Sequence, residues 1–129
     1  MKPLVRITVL MLVAGITAGG LGFAGGGKEG TLEGEIVDTR CYLNMEKHGS
    51  EHRKCAVACA KDGIPSGILV GDGKVYTLLV ASSGLAEYQA EEARVTGTIF
   101  EKSSSVSPKK LELKKNGKWV EVPLPDAMM

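Results

Sequence analysis

The chain has 129 residues, enough for one domain, and its 16 basic and 15 acidic side chains leave a net charge of +1. This near balance argues against a broad basic surface of the kind that binds nucleic acid. Aromatic residues make up only 5% of the chain, too few for a platform that stacks bases or sugars.

The first residues predict a secretory signal. Lys2 and Arg6 flank the start of an almost unbroken apolar run over residues 7–16. Small residues follow, and Gly22-Phe23-Ala24 fits a small-x-small cleavage site, so residues 1–24 are predicted to be a signal peptide. A retained anchor is the alternative, but the apolar run is shorter than the roughly 20 residues that a spanning helix needs. We therefore expect a periplasmic or secreted protein with no membrane span after cleavage.

The chain after the signal is predicted to begin with a flexible, glycine-rich linker at residues 25–30. Partial alternation of apolar and polar residues then predicts a strand over residues 31–38, and residues 39–49 are expected to be irregular.

A short helix is expected next, over residues 52–61. Ser50 is a good N-cap for it, and the run is rich in Ala and Lys. Gly63 and Pro65 form a strong stop signal just beyond its end.

The remaining sequence predicts strands with one short helical piece at residues 84–91, capped by Ser82 or Ser83, and a polar loop at residues 103–108. Asn116-Gly117 is the strongest hairpin signal in the chain. The predicted strands are residues 67–70, 74–80, 93–100, 109–115 and 118–122.

The order of these elements resembles that of an OB-type barrel. The fold class is therefore predicted to be mainly β: a small OB-like Greek-key barrel with an inserted Cys/His-bearing helix. The barrel domain is expected at residues 31–123 and a tail at residues 124–129.

All the cysteines and histidines of the chain lie close together in the sequence. On a helix of about 3.6 residues per turn, His52, Cys55 and Cys59 fall within about 60° of arc and share one face. Cys41 arrives from the end of the first strand, and His48 precedes the helix closely enough to fold over the same face. The clustered residues are Cys41, His48, His52, Cys55 and Cys59.

This cluster is compatible with three interpretations. The first is metal binding. Three thiolates and an imidazole match a Cys₃His set for Zn²⁺, and sulfur ligands also suit Cu(I). The expected ligands are Cys41, His52, Cys55 and Cys59, with His48 as a spare. The protein would then be a small binding module that serves an exported redox or respiratory protein, and no catalytic residue is predicted.

The second interpretation is a disulfide that braces a structural or interaction domain, because exported proteins meet oxidising surroundings. Residues one helical turn apart have Cβ atoms about 5–6 Å apart. A disulfide needs about 3.5–4.5 Å, so a bridge would join Cys41 to Cys55 or Cys59. The third interpretation is a thiol-redox protein, since His52 and Arg53 near a helix N-terminus favour the thiolate of Cys55.

The same stretch resembles small exported bacterial proteins of uncharacterised function. The residues that carry the resemblance form the pattern Asp-x-x-Cys, His-x-x-Cys-x-x-x-Cys and Gly-x-Pro. The resemblance groups the chain with those proteins and implies no particular activity. In this sequence the pattern consists of Asp38 and Cys41, then His52, Cys55 and Cys59, then Gly63 and Pro65.

Overall fold

The computed structural model describes residues 26–126, so the predicted signal peptide and the last three residues lie outside it. Six strands form one sheet, with two α-helices between the first and second strands. The strands are β1 (Lys28–Asp38), β2 (Ser66–Val70), β3 (Val75–Leu78), β4 (Glu92–Phe100), β5 (Ser105–Lys115) and β6 (Lys118–Val122). The helices are α1 (Thr39–Met45) and α2 (Arg53–Lys61), with 3₁₀ turns at Ser50–His52, Ser82–Tyr88 and Glu101–Ser103.

The sheet closes on itself to form a barrel of five strands. Its order is β3-β2-β1-β4-β5, and a parallel pairing of β3 with β5 joins the two ends, while β6 adds a hairpin on β5. Strand β1 pairs with β4 along its first part and with β2 along its second. The change of partner occurs at Gly34, where any Cβ would collide with the carbonyl oxygen of Leu69. The predicted mainly-β, OB-like barrel with an inserted helical segment is therefore confirmed.

Aliphatic side chains from every barrel strand fill the interior. They alternate with outward-facing residues along each strand, as a half-buried strand requires. Leu85, from the 3₁₀ turn between β3 and β4, belongs to the same core and is 1% exposed. The most deeply buried aliphatic residues of the strands are Ile36, Ile68, Val95, Val106 and Leu111.

Two predictions for the segment between β1 and β2 were wrong. The stretch expected to be irregular contains the helix α1, because the Asp38 side chain accepts hydrogen bonds from the first free N–H groups of that helix. Ser50 does not cap α2; it begins a 3₁₀ turn that leads into the helix, and its side chain makes no capping hydrogen bond. The predicted stop at Gly63 is confirmed, and the φ angle of this glycine is +86°.

Three predicted boundaries also differ. Strand β1 begins at Lys28, inside the predicted linker, because its first residues pair with the end of β4. Strand β5 begins at Ser105, inside the predicted polar loop, because Val106 is fully buried and pairs with both β3 and β4. In the predicted tail, Leu124 packs against the core.

An ion pair on the outside of the barrel joins β4 to β5. Arg94 donates to both carboxylate oxygens of Glu112, at 2.8 and 2.9 Å, and its guanidinium lies over the ring of Trp119. Hydrogen bonding from Arg94, helped by Lys110, lowers the pKa of Glu112 to about 2. The charged form of this carboxylate therefore stabilises the folded state.

Glu112→Gln should lower the free energy of unfolding at pH 7, and this deficit should shrink as the pH falls. The folded pKa of Glu112 lies below the unfolded value, so its contribution is present above about pH 4.3 and is lost towards about pH 2. Urea unfolding at both ends of this range measures the effect. Glu121→Gln, which removes an exposed carboxylate from the neighbouring strand, is the control. An equal deficit at every pH would contradict the assignment.

Candidate metal centre

The two helices between β1 and β2 lie against the barrel through small side chains. Ala56 and Ala60, one turn apart on α2, are 4% and 1% exposed. Because alanine is small, the helix approaches the barrel closely, and the neighbouring positions Cys55 and Cys59 lie beside this contact face. Two of the three cysteines are thereby carried on a helix whose orientation the barrel fixes.

Arg53 anchors the start of α2. Its guanidinium donates to the carbonyl oxygens of Gln89 and Glu87, at 2.6 and 2.7 Å, and to the carboxylate of Glu91 at 2.8 Å. Glu87 lies in the 3₁₀ turn Ser82–Tyr88, and Gln89 and Glu91 lie in the segment between this turn and β4. The charge of Arg53 is therefore already paired on the barrel side, which weakens its predicted role as a partner for the Cys55 thiolate.

The far end of α2 is tied to the start of α1. The carbonyl oxygen of Cys59 accepts from the backbone N–H of Ile64 at 3.0 Å, which closes the helix at its C-terminus. The next residue, Pro65, accepts from both the backbone N–H and the hydroxyl of Thr39, at 3.1 and 2.8 Å. These hydrogen bonds hold the two cysteine-bearing helices in a defined relation.

The three thiols converge between these helices. The sulfur atoms of Cys41, Cys55 and Cys59 all lie within 4.8 Å of one another. Cys41 is buried, Cys59 is half-buried and Cys55 is exposed, so the cluster runs from the barrel surface out to solvent. All three cysteines are free thiols. The predicted meeting of Cys41 with the two cysteines of α2 is confirmed.

Asp38 lies beside the thiols and is 2% exposed. Its Oδ1 accepts from the backbone N–H groups of Arg40 and Cys41, at 2.9 and 3.4 Å, as the N-cap of α1. Its Oδ2 is buried and has no hydrogen-bond partner within the described residues. The Cys41 and Cys59 thiols are near the carboxylate.

The carboxylate and the thiols shift one another's ionisation. Burial raises the pKa of Asp38, but its contacts with the Cys41 and Cys59 thiols and with backbone N–H groups outweigh burial and hold this pKa below its usual range. The Asp38 carboxylate, followed by burial, raises the pKa of Cys41 to about 12. Burial, followed by Asp38, raises the pKa of Cys59 to about 11. At neutral pH both thiols are therefore protonated beside an ionised carboxylate.

A second group of potential ligands shares Cys41 with the first. One ligand atom each of Asp38, Cys41 and His52 lie within 4.8 Å of one another. The Nε2 atom of His52 is buried without a hydrogen-bond partner within the described residues. His52 therefore lies near Cys41 and Asp38, and it is not grouped with Cys55 and Cys59, with which it was predicted to share a helix face, because it belongs to the 3₁₀ turn before α2.

His48 lies apart from both groups among the described residues. Its Nδ1 is 3.0 Å from a carboxylate oxygen of Glu35, and its ring contacts the edge of Tyr42 with centroids 5.7 Å apart. The imidazole is therefore held at the barrel surface beside β1. The structure does not bring this predicted spare ligand to the thiols.

Sequence reasoning did not propose Asp38 as a ligand. It noted the residue only within the Asp-x-x-Cys pattern. The available signal was its place directly before a helix, because an aspartate at an N-cap is fixed in orientation by two backbone N–H groups. A carboxylate held in this way has its second oxygen free to contact side chains of the first helical turn, such as Cys41.

The arrangement is able to hold a metal ion. The three sulfur atoms lie on two helices and are close enough to bind one ion, so they supply three of the four ligands of a tetrahedral site. Asp38 and His52 lie near Cys41, and each has a buried oxygen or nitrogen atom without a hydrogen-bond partner within the described residues. Thiolates are the ligands that Zn²⁺ and Cu(I) prefer. The same proximity would allow a disulfide from Cys41 after a small movement.

No known protein family, curated protein or solved structure matched the chain. Within residues 26–126, no helix combines the length and apolar character needed to cross a bilayer.

The metal-free, reduced protein should react with iodoacetamide in the order Cys55, then Cys59, then Cys41. The order follows exposure, and the raised pKa values of Cys59 and Cys41 slow them further because the thiolate is the nucleophile. Peptide mass spectrometry at several times after labelling at pH 7 gives the three rates. Labelling of Cys41 as fast as Cys55 would show that Cys41 is not buried beside Asp38.

Proposed function

We propose that the protein is an exported metal-binding module whose Cys41, Cys55 and Cys59 thiolates bind one Zn²⁺ or Cu(I) ion. The observation that supports this proposal is the convergence of all three sulfur atoms within 4.8 Å. His52 is the nitrogen donor expected from the sequence. Sulfur-rich sets of this kind are typical of structural Zn²⁺ sites and of Cu(I) sites.

The structural alternative is a brace in which Cys41 forms a disulfide with Cys55 or Cys59. A brace uses two sulfur atoms and gives no reason for the third to lie beside them. It also gives no reason for buried oxygen and nitrogen atoms to lie unpartnered at the same place, since such atoms cost free energy unless they find a partner. A bound ion accounts for both features.

An accessory role, in which the ion passes to an exported redox or respiratory protein, is part of the proposal. The exposed Cys55 supports it, because a ligand at the surface can be replaced by a thiol or imidazole of a partner. Leu43 and Met45 on α1 are 70% and 52% exposed, and they give such a partner an apolar contact close to Cys41.

Titration of the reduced protein with Cd²⁺, a probe for thiolates, should give a sulfur-to-metal charge-transfer band that saturates at about one equivalent. Cys41→Ser, Cys55→Ser and Cys59→Ser should each weaken the band and lower the affinity for Zn²⁺ by at least about tenfold. His48→Gln is the control, because this imidazole lies apart from the thiols. The absence of a charge-transfer band in the reduced wild-type protein would contradict the proposed function.

The apparent affinity for Zn²⁺ should rise with pH across the neutral range. The ion displaces the protons of Cys41 and Cys59, whose pKa values of about 12 and about 11 lie above the working pH. Each displaced proton adds roughly a factor of ten per pH unit to the apparent affinity. Competition with a chelator of known pH dependence at about pH 6, 7 and 8 measures the slope. A flat profile would show that the thiols do not bind the ion.

A further inference from the structure

The oxygen atom Oδ2 of Asp38 is buried and has no hydrogen-bond partner within residues 26–126. The residue is 2% exposed, and its other oxygen is occupied by two backbone N–H groups of α1. Leaving a buried charged oxygen unpartnered is costly, and such atoms in folded proteins commonly mark a functional site or a bound ion. Here one oxygen of the carboxylate lies within 4.8 Å of the Cys41 sulfur, and the charge of the carboxylate also raises the pKa of the Cys59 thiol.

The capping role fixes where this oxygen lies. Asp38 is both the last residue of β1, paired with Ser66 of β2, and the N-cap of α1. Pairing within the sheet fixes the backbone of Asp38, and the hydrogen bonds from the N–H groups of α1 fix the position of its Oδ1. The carboxylate therefore has little rotational freedom, and its place near the Cys41 thiol is fixed.

We propose that Asp38 is a ligand of the metal centre and completes the three thiolates through Oδ2, and that this oxygen makes the site selective for Zn²⁺ over Cu(I). The proposal rests on the proposed function, because it assumes that the thiols bind an ion. Carboxylate oxygen is an ordinary ligand of Zn²⁺, whereas Cu(I) prefers sulfur and gains little from it. Removal of this one donor should therefore affect the two metals unequally.

The position of Asp38 favours it over His52 as the fourth donor. Both residues lie near Cys41, since one ligand atom each of Asp38, Cys41 and His52 lie within 4.8 Å of one another. The orientation of the carboxylate is fixed by β1 and by the cap of α1, and its charge also raises the pKa of Cys59. A ligand atom of the imidazole lies within 4.8 Å of a carboxylate oxygen of Asp38, so His52 is a neighbour of the proposed ligand.

The test compares the full chain with Asp38→Asn. Asparagine caps a helix about as well as aspartate, so its amide oxygen can keep the hydrogen bonds to Arg40 and Cys41 while an NH₂ group replaces Oδ2. Affinities for Zn²⁺ and for Cu(I) are measured by competition with a chelator of each ion. Glu51→Gln, which removes one exposed negative charge beside His52, is the matched control.

Asp38→Asn should lower the Zn²⁺ affinity by at least about 100-fold, because loss of a direct ligand exceeds the usual effect of an outer partner. Its Cu(I) affinity should not fall, because Cu(I) gains little from oxygen and loss of the Asp38 charge eases ionisation of Cys41 and Cys59. Glu51→Gln should change neither affinity. Unchanged Zn²⁺ binding in Asp38→Asn would overturn the proposal. So would equal losses for both metals with an unchanged circular dichroism spectrum, or a larger Zn²⁺ loss in His52→Gln than in Asp38→Asn.

A second measurement covers the case in which Asp38→Asn does not fold. X-ray absorption of the wild-type protein loaded with Zn²⁺ should show three sulfur ligands and one oxygen, without the scattering pattern of a coordinated imidazole. A clear imidazole pattern would assign the fourth position to His52 and overturn the proposal for Asp38. Wild-type protein that binds neither metal would instead contradict the proposed function, so the two failures are distinguishable.

Discussion

The conformation of Asp38 is the constraint on which the candidate site depends. This residue ends β1, begins α1 and lies beside two thiols. Its cap determines that the chain turns into a helix at Thr39, which places Cys41 in the first turn, facing the barrel. Without the cap, the free N–H groups at the start of α1 would lack an acceptor, and a helix of this length has little stability of its own. One carboxylate thus positions the buried thiol and also faces it.

The rest of the site follows from how the inserted segment is attached. Arg53 holds one end of α2 to the segment before β4, and Pro65 ties the other end to Thr39. The alanines on the inner face of α2 bring the helix close to the barrel, and Cys55 and Cys59 lie along its edge. The barrel supplies a rigid base, and the cysteine chemistry is confined to the connection between its first two strands.

Turn signals and alternation of apolar residues predicted the barrel correctly, because each strand has one face in the core and one in solvent. Helical periodicity was sufficient to predict that Cys55 and Cys59 share a face. The helix α1 was not predicted because its stability comes from two contacts. The Asp38 side chain caps it, and Thr39 donates hydrogen bonds to the carbonyl oxygen of Pro65, which is distant in sequence. Asp38 was not considered as a metal ligand because the helix that it caps was not predicted. His48 was wrongly expected near the thiols, because its actual partner, Glu35, becomes a neighbour only once the loop has folded.

Several predictions that failed concern contacts between segments distant in sequence, whereas the caps at Asp38 and Ser50 are local features that were misjudged. The correct predictions concern periodicity within a segment. The start of β5 shows the same division. Its serines read as a polar loop, yet Val106 among them is fully buried where β3 and β5 close the barrel. The pairing of β3 with β5 forms only when the sheet closes, so the local sequence around Val106 does not indicate it.

Native mass spectrometry of the full chain, expressed with its own N-terminus and isolated without added chelator or reductant, tests the central claim most directly. If the three thiolates bind an ion, the mature protein carries one metal ion, and release of this ion by acid exposes three alkylatable thiols. A metal-free protein two mass units lighter than the reduced chain, with Cys41 in a disulfide and one thiol left, would contradict this claim.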